Sequence, residues 1–421
     1  MNSRKKAQTN AKTGGRCDLG YTLGRLWGLL WLLGHSSGAQ VLELPPGSPK
    51  AMTGAGFVRH IMPLALPERE QEVISSDEGV ISNPRYPTNA WPQLASKRTL
   101  PNSTMPLEAS STGLTNFRAS PDFQERIGAF SFEPGVRIHI NAPGAESFAA
   151  GRKVLLIFYA LPNGNTTAQT VGKVLKPGDD WHYDIQHIGA QTRFLRNLLQ
   201  ERTVVVAYLE NDLKSWPAWR KQYGDKPIPE MIARVRKLFA GHEVETVLSG
   251  HSGGGSLLFG YLNAMPNIPE DTVRLAFLDA NYAYDRALGH HEKLAKWLAA
   301  SNCHSLCVLA YDDAVALLDG RPFVSAQGGT WGKSHAMQAD LAGAFKFTSQ
   351  TNAGFQRFSA LAGRVQFIRK ENPERKILHT LQVERNGFIH SVLSGTPHEG
   401  EGYQYFGERA YSSWIAGQDP N

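Results

Sequence analysis

The sequence predicts an α/β fold, with a mostly parallel central sheet and helices on both faces, over residues 126–421. Continuous apolar runs at residues 154–159, 203–208, 273–278 and 305–311 are typical of strands that are buried on both faces, as parallel strands are. Stretches with apolar residues at helical spacing separate several of these runs, and alternating β and α units form parallel sheets. With 421 residues, 41% of them hydrophobic, the chain can bury a large core.

The elements follow one another along the chain. Residues 136–141 alternate between apolar and polar like an edge strand, and residues 154–159 form the first buried strand. A predicted helix with proline in its first turn precedes the strand that leads to Ser252. The remaining predictions are helices over residues 181–200, 229–240 and 292–300, strands over 203–208, 273–278 and 305–311, a long insertion, and a last strand over 377–383.

One motif within this order carries chemistry. From Val244 the chain reads VETVLSGHSGGGSLLFG, which is an apolar strand, a glycine-rich turn and the start of a helix. A G-x-S-x-G match in this context predicts a nucleophilic serine on a sharp turn, at Ser252. The same pattern at residues 34–38 follows a Leu/Trp run and has no helix after it, so the context decides and not the match alone.

The strand order and the elbow resemble the α/β-hydrolase fold over residues 126–421. The resemblance implies a triad in the order serine, acid, histidine, with the later members after Ser252. His390 follows the last predicted strand and is the expected base, whereas His379 within that strand and His398 further on fit less well. The acid is Asp279 at the end of the 273–278 strand, or else Asp313 or Asp312 after the 305–311 strand.

An acyl-transfer site also needs two N–H donors for the oxyanion. Gly253, directly after the nucleophile, is the expected first donor, and Gly164 or Asn165 in the Pro-Asn-Gly turn after residues 154–159 is the second. No metal and no cofactor are required. Loop residues that are candidates for lining the substrate cleft are Trp181, His182, Trp331 and His335.

The first 39 residues have the pattern of a secretory signal. They carry six basic and one acidic side chain, a short apolar stretch, and Ser37-Gly38-Ala39 before a predicted cut at Gln40. The apolar stretch is shorter than the roughly 20 residues that span a bilayer, so no membrane span is expected after cleavage. Residues 40–125, rich in Pro and Ser, are predicted to form an arm or linker.

Removing the leader lowers the formal net charge from +6 to +1, so the basic character gives no reason to expect nucleic acid as a partner. Cys303 and Cys307 stand four apart, too far for a disulfide along an extended strand, and Cys307 is predicted to be a buried apolar residue.

These observations predict a serine hydrolase that is secreted or periplasmic and cleaves a small-molecule or polymeric ester through an acyl-enzyme. The same triad would serve an amidase or a peptidase, and the fold would also serve a secreted binding protein without catalysis. Both alternatives stay open at the level of sequence.

Overall fold

A computed structural model of the chain describes residues 117–314 and 328–417, with the short stretches 75–76, 79–80, 317–318, 321–322 and 324–325. All of them belong to one compact unit, residues 69–421. The predicted signal at 1–39 and most of the predicted arm at 40–125 lie outside the described residues. None of the helices that are described is both long and apolar enough to cross a membrane.

The unit is built on one large mixed sheet. Its strands, in chain order, are β1 Arg118–Ala119, β2 Arg126–Phe132, β3 Val136–Ala142, β4 Lys153–Ala160, β5 Arg202–Asn211, β6 Val244–His251, β7 Thr272–Leu278, β8 Ser305–Tyr311, β9 Thr348–Asn352, β10 Phe355–Ala360 and β11 Val365–Lys370. Two short ribbons, Ser75–Ser76 with Gly79–Val80 and Leu317–Leu318 with Arg321–Pro322, stand apart from this sheet.

The order across the sheet is β9-β10-β11-β8-β7-β6-β4-β5-β3-β2-β1. The six central strands, from β11 to β5, are parallel, and the sequence predicted all of them except β11. Both flanks are antiparallel, so the sheet is parallel only in its centre. On one flank, β2 and β3 mix buried residues with more exposed ones because antiparallel strands can leave one face in solvent.

Helices cover both faces, as predicted. They are α1 Thr167–Val171, α2 Ile188–Leu198, α3 Trp216–Tyr223, α4 Pro227–Lys237, α5 Gly255–Ala264, α6 His290–Ala300, α7 Gly329–Ala342, α8 Leu381–Glu384 and α9 Gly387–Leu393. Strand β4 shows how the layers form: Leu156 and Phe158 face the core with α3 to α7, whereas Ile157 and Tyr159 face the core with α1, α2, α8 and α9. Cys307 is free and buried in the second core, as predicted.

The C-terminal third departs from the prediction. The expected strand over residues 377–383 is a loop followed by the short helix α8, and the last parallel strand is β11. The residues of β9 to β11 fell in the predicted long insertion because their polar side chains hide the apolar pattern. Arg369 in β11, for example, is buried and donates to the hydroxyl and the carbonyl oxygen of Ser334 in α7.

The helix predictions hold with shifted ends. The helix predicted over 181–200 divides into a 3-10 turn at Trp181–Asp184 and α2, separated at His187, whose backbone is left-handed at φ +46°. Glu125, directly before β2, anchors helix α2. This carboxylate is 2% exposed and accepts hydrogen bonds from Arg193 and Arg196 of α2.

Candidate active site

Ser252 stands on a strained turn between β6 and α5. Its φ is +54°, in the left-handed region that side chains rarely adopt, and a single 3-10 turn, Ser252–Gly254, joins the strand to the helix. The side chain is buried at 4% exposure. Strain of this kind at a non-glycine residue is typical of functional sites, and it occurs at the position that the motif predicted.

The glycines around Ser252 are required by close contacts with neighbouring loops. A Cβ at Gly254 would lie 2.2 Å from the backbone oxygen of Ala160, and one at Gly255 would lie 1.7 Å from that of Ala280. The turn is therefore wedged between the loop after β4 and the loop after β7, at the carboxyl ends of the parallel strands. Only residues without a side chain fit there.

Asp279 follows β7, the strand next to the nucleophile strand. It is fully buried and also adopts a left-handed backbone, with φ +48°. Its Oδ2 lies 2.5 Å from Nδ1 of His379, and its Oδ1 accepts a hydrogen bond from the hydroxyl of Thr330. Both carboxylate oxygens thus have donors, which is the arrangement of a carboxylate that orients an imidazole.

The histidine at this carboxylate is His379, not His390. His379 lies in the loop between β11 and α8 and is 3% exposed. His390 lies inside α9, where Nδ1 pairs with the hydroxyl of Tyr403 at 3.1 Å and the ring stacks on Tyr405 at 5.0 Å. Because residues 377–383 are not a strand, the loop that follows the last parallel strand presents His379. The prediction of His390 is corrected accordingly.

A second imidazole links this loop to the nucleophile. His251, directly before Ser252, stacks on His379 with ring centroids 4.5 Å apart, and its Nε2 lies 3.2 Å from the carbonyl oxygen of His379. Since a carbonyl only accepts, Nε2 of His251 carries the proton. Burial, with His379 as a further cause, holds the pKa of His251 well below its usual range. A neutral His251 therefore joins the elbow to the loop that carries His379.

The loop of His379 is also held from behind. Arg409 donates to Glu384 at the end of α8 at 2.6 Å and to Asp184 before α2 at 2.7 Å. The hydroxyl of Tyr411 donates to the backbone oxygen of Glu384 at 2.6 Å. The segment around residues 409–411 thereby fixes α8, which begins two residues after His379.

Of the two alternative acids, only Asp313 joins the cluster. Its Oδ2 accepts the backbone N–H of Thr330 at 2.8 Å, and the side chain is 2% exposed. Asp312 accepts the N–H of Ala314 within its own turn and is only partly buried. The structure therefore brings Asp279 and Asp313 together on either side of Thr330, a residue that no sequence signal indicated.

The two proposed amides of the Pro-Asn-Gly turn are used within the protein. The N–H of Gly164 donates to the backbone oxygen of Lys214 at 2.8 Å, and the N–H of Asn165 donates to the backbone oxygen of Pro162 at 3.4 Å. Neither is directed at Ser252, which corrects the prediction of either as the second oxyanion donor. Asn163 of the same turn lies against Gly253 instead, because a Cβ at Gly253 would be 2.0 Å from its Oδ1.

The four predicted cleft residues lie in two places. Trp331 follows Thr330 in α7 and is therefore next to the acid pair, and His335 packs on Trp331 at 5.0 Å between ring centroids. Trp181 and His182 stack on each other at 4.0 Å. His182 pairs with Asp180, whose other oxygen accepts from α1. No described contact joins Trp181 or His182 to Ser252, Asp279 or His379. No cluster of metal ligands occurs in the part of the chain that the structure describes.

No protein-family model matches the chain, and no curated protein matches it in sequence. Solved structures do resemble it. The siderophore hydrolase EstB from Aspergillus nidulans is 14% identical, with 63% of this chain and 92% of that one covered and a TM-score of 0.32. A feruloyl esterase module from Clostridium thermocellum is 12% identical, with coverages of 72% and 99% and a TM-score of 0.38.

A thermostable esterase is 16% identical, with 59% of this chain and 55% of that one covered and a TM-score of 0.33. These likenesses concern the fold alone. The sheet order, the helices on both faces and the elbow give the chain an α/β-hydrolase-like fold, which confirms the prediction from the sequence.

Proposed function

We propose that the protein is a serine hydrolase that cleaves a carboxylic ester, with Ser252 as nucleophile, His379 as base and Asp279 as acid. One observation carries the proposal. The buried Asp279 carboxylate pairs with Nδ1 of His379 at 2.5 Å, and the His379 loop contacts the residue directly before Ser252. The strained serine and the oriented imidazole come from elements that the fold brings together at one edge of the sheet.

The hydrogen bond to Asp279 fixes the tautomer of His379. With the proton on Nδ1 directed at the carboxylate, the lone pair of the ring lies on Nε2, which is the atom that a general base needs. Burial lowers the pKa of His379, so the ring is neutral at neutral pH. The negative charge of Asp279 then stabilises the imidazolium that forms when His379 takes the serine proton.

Each half-reaction moves one proton and one acyl group. Ser252 Oγ attacks the ester carbon while Nε2 of His379 takes the hydroxyl proton, and the alcohol leaves with that proton as the acyl-enzyme forms. Water then attacks the acyl carbon by the same route and releases the carboxylic acid. Gly253 N–H and the amide of Asn163, which lies against Gly253, supply the donors for the oxyanion. No cofactor takes part.

The proposal extends to the substrate and to the location of the enzyme. Trp331 and His335, close to the acid pair, are proposed to line the pocket of a small-molecule or polymeric ester. The leader predicted at residues 1–39 implies export, with a mature protein that begins at Gln40. Mass spectrometry of the exported protein tests this: a mature chain that retains residues before 40 contradicts the predicted cleavage.

A fluorophosphonate probe tests the nucleophile. The wild-type chain should be labelled and Ser252→Ala should not, whereas Ser256→Ala, a buried serine one helical turn further on, should be labelled like the wild type. Hydrolysis of p-nitrophenyl esters of increasing chain length, beside a p-nitroanilide, tests the reaction. A wild-type chain that is inert to both probe and esters, or that cleaves only the anilide, contradicts the proposal.

A further inference from the structure

Two carboxyl groups from neighbouring strands meet at one threonine. Asp279 follows β7 and Asp313 follows β8, and these strands pair in parallel next to each other. Thr330, the second residue of α7, donates its hydroxyl to Oδ1 of Asp279 and its backbone N–H to Oδ2 of Asp313 at 2.8 Å. The same hydroxyl oxygen lies 3.5 Å from Oδ2 of Asp313. The two carboxyl groups are therefore one hydroxyl group apart.

Both carboxyl groups cannot be charged in this position. Asp279 is fully buried and Asp313 is 2% exposed. Like charges that share a dry site disfavour each other's ionisation, so such a pair retains a proton at pH values where isolated carboxyl groups have lost it. Burial raises the pKa of both carboxyl groups well above the ordinary value, and the charge of Asp279 adds to the shift at Asp313.

The hydrogen bonds decide which group is charged. Asp279 accepts from the His379 ring at one oxygen and from the Thr330 hydroxyl at the other, so both of its oxygens are occupied by donors. Asp313 has backbone donors only. Its Oδ2 accepts the N–H of Thr330, and the N–H groups of Trp331 and of Asp313 itself also lower its pKa, but Oδ1 is buried without a hydrogen bond among the described residues. The start of α7 also favours charge on Asp313, but Asp279 has a side-chain donor at each of its two oxygens, which Asp313 lacks.

We propose that Asp313 carries the proton of this pair, and that Thr330 is a positioning residue that directs its hydroxyl to the charged Asp279, which pairs with His379. The inference rests on the triad proposed above. This assignment explains why a carboxyl group follows both β7 and β8. Asp313, after β8, accepts the backbone N–H of Thr330 but adds no second negative charge near the ring of His379.

Infrared spectroscopy of the resting protein at neutral pH tests the location of the proton without any substrate. A buried protonated carboxyl group gives a carbonyl band distinct from those of carboxylates, and Asp313→Asn should remove it. Asp312→Asn, at the partly buried neighbour, is the matched control and should retain it. A wild-type protein without this band, or a band that survives in Asp313→Asn, overturns the proposal even if ester hydrolysis is confirmed.

Kinetics test the consequence for catalysis. Since Asn resembles a protonated Asp, Asp313→Asn should lose far less kcat than Asp279→Asn, which should lose about 10³- to 10⁴-fold. Thr330→Val removes only the hydroxyl and should lower kcat about tenfold with KM unchanged, and Thr330→Ser should restore it. Equal losses in Asp313→Asn and Asp279→Asn, or wild-type kcat in Thr330→Val, contradict the assignment. A protein that hydrolyses no ester refutes the proposed function, while the infrared result still stands by itself.

Discussion

Replacement of either His379 or His390 by glutamine distinguishes the roles of these two histidines, both of which follow β11 in the chain. Glutamine keeps a polar side chain of similar length but cannot take a proton from Ser252. We expect His379→Gln to lower kcat by about 10⁴-fold or more, the loss that removal of a triad member causes. At about 1.4 kcal/mol per tenfold, this equals about 5.5 kcal/mol of transition-state stabilisation.

The effect of His390→Gln should be on stability. The variant loses the hydrogen bond to Tyr403 and the stack on Tyr405, worth about 1 kcal/mol and about 0.5–1.5 kcal/mol respectively. The expected cost is thus about 2 kcal/mol in the free energy of unfolding, with kcat within about threefold of the wild type. Burial also holds the pKa of His390 at about 3, so its ring is neutral in both the resting and the reacting enzyme.

The assay is stopped-flow or steady-state hydrolysis of a p-nitrophenyl ester, together with urea denaturation of each variant. Both variants must show a cooperative unfolding transition for the rates to be compared. Loss of activity in a folded His390→Gln, with activity retained in His379→Gln, would refute the reasoning and return the base to His390.

Three further predictions concern the elbow, the pH profile and the anchor of α2. Gly254→Ala places a Cβ 2.2 Å from the backbone oxygen of Ala160 and should abolish soluble expression or activity; a stable, active variant would contradict the wedged turn. Burial lowers the pKa of His379 to about 4. Its active neutral form therefore persists below the usual value, and the acid limb of kcat/KM should have its midpoint below pH 6.5, whereas a midpoint above 7 contradicts this. Glu125→Gln leaves the two arginines of α2 without their buried partner and should cost about 3–5 kcal/mol by urea denaturation; a loss under about 1 kcal/mol would show that the network is dispensable.

The sequence predicted the parts of the site that have strong local signals. Ser252 needs glycines on both sides, and Asp279 ends an apolar run, so both positions can be recognised within a few residues. The central strands were predicted for the same reason, since burial on both faces requires continuous apolar residues.

The parts that depend on tertiary contacts were missed. Strand β11 contains Arg369, which is tolerated in the core because it donates a hydrogen bond to Ser334 of α7. No local sequence pattern indicates that pairing. Residues 377–383 carry apolar side chains that fit a strand as well as a loop and a helical turn. The mistaken strand placed His379 inside the sheet and moved the expected base to His390. Thr330 came from α7, far along the chain from both carboxyl groups that it joins.

The hydrogen bonds that Arg409 and Tyr411 donate to α8 determine the order in which the parts of the site can form during synthesis. The Ser252 turn has its neighbours at Ala160 and Ala280 once β7 and the loop after it have been synthesised. The loop of His379 is not held in place until residue 411 has been synthesised, because Arg409 and Tyr411 cannot donate hydrogen bonds to Glu384 and Asp184 before then. In a nascent chain the Ser252 turn therefore has its neighbours before the His379 loop is held by residues 409–411.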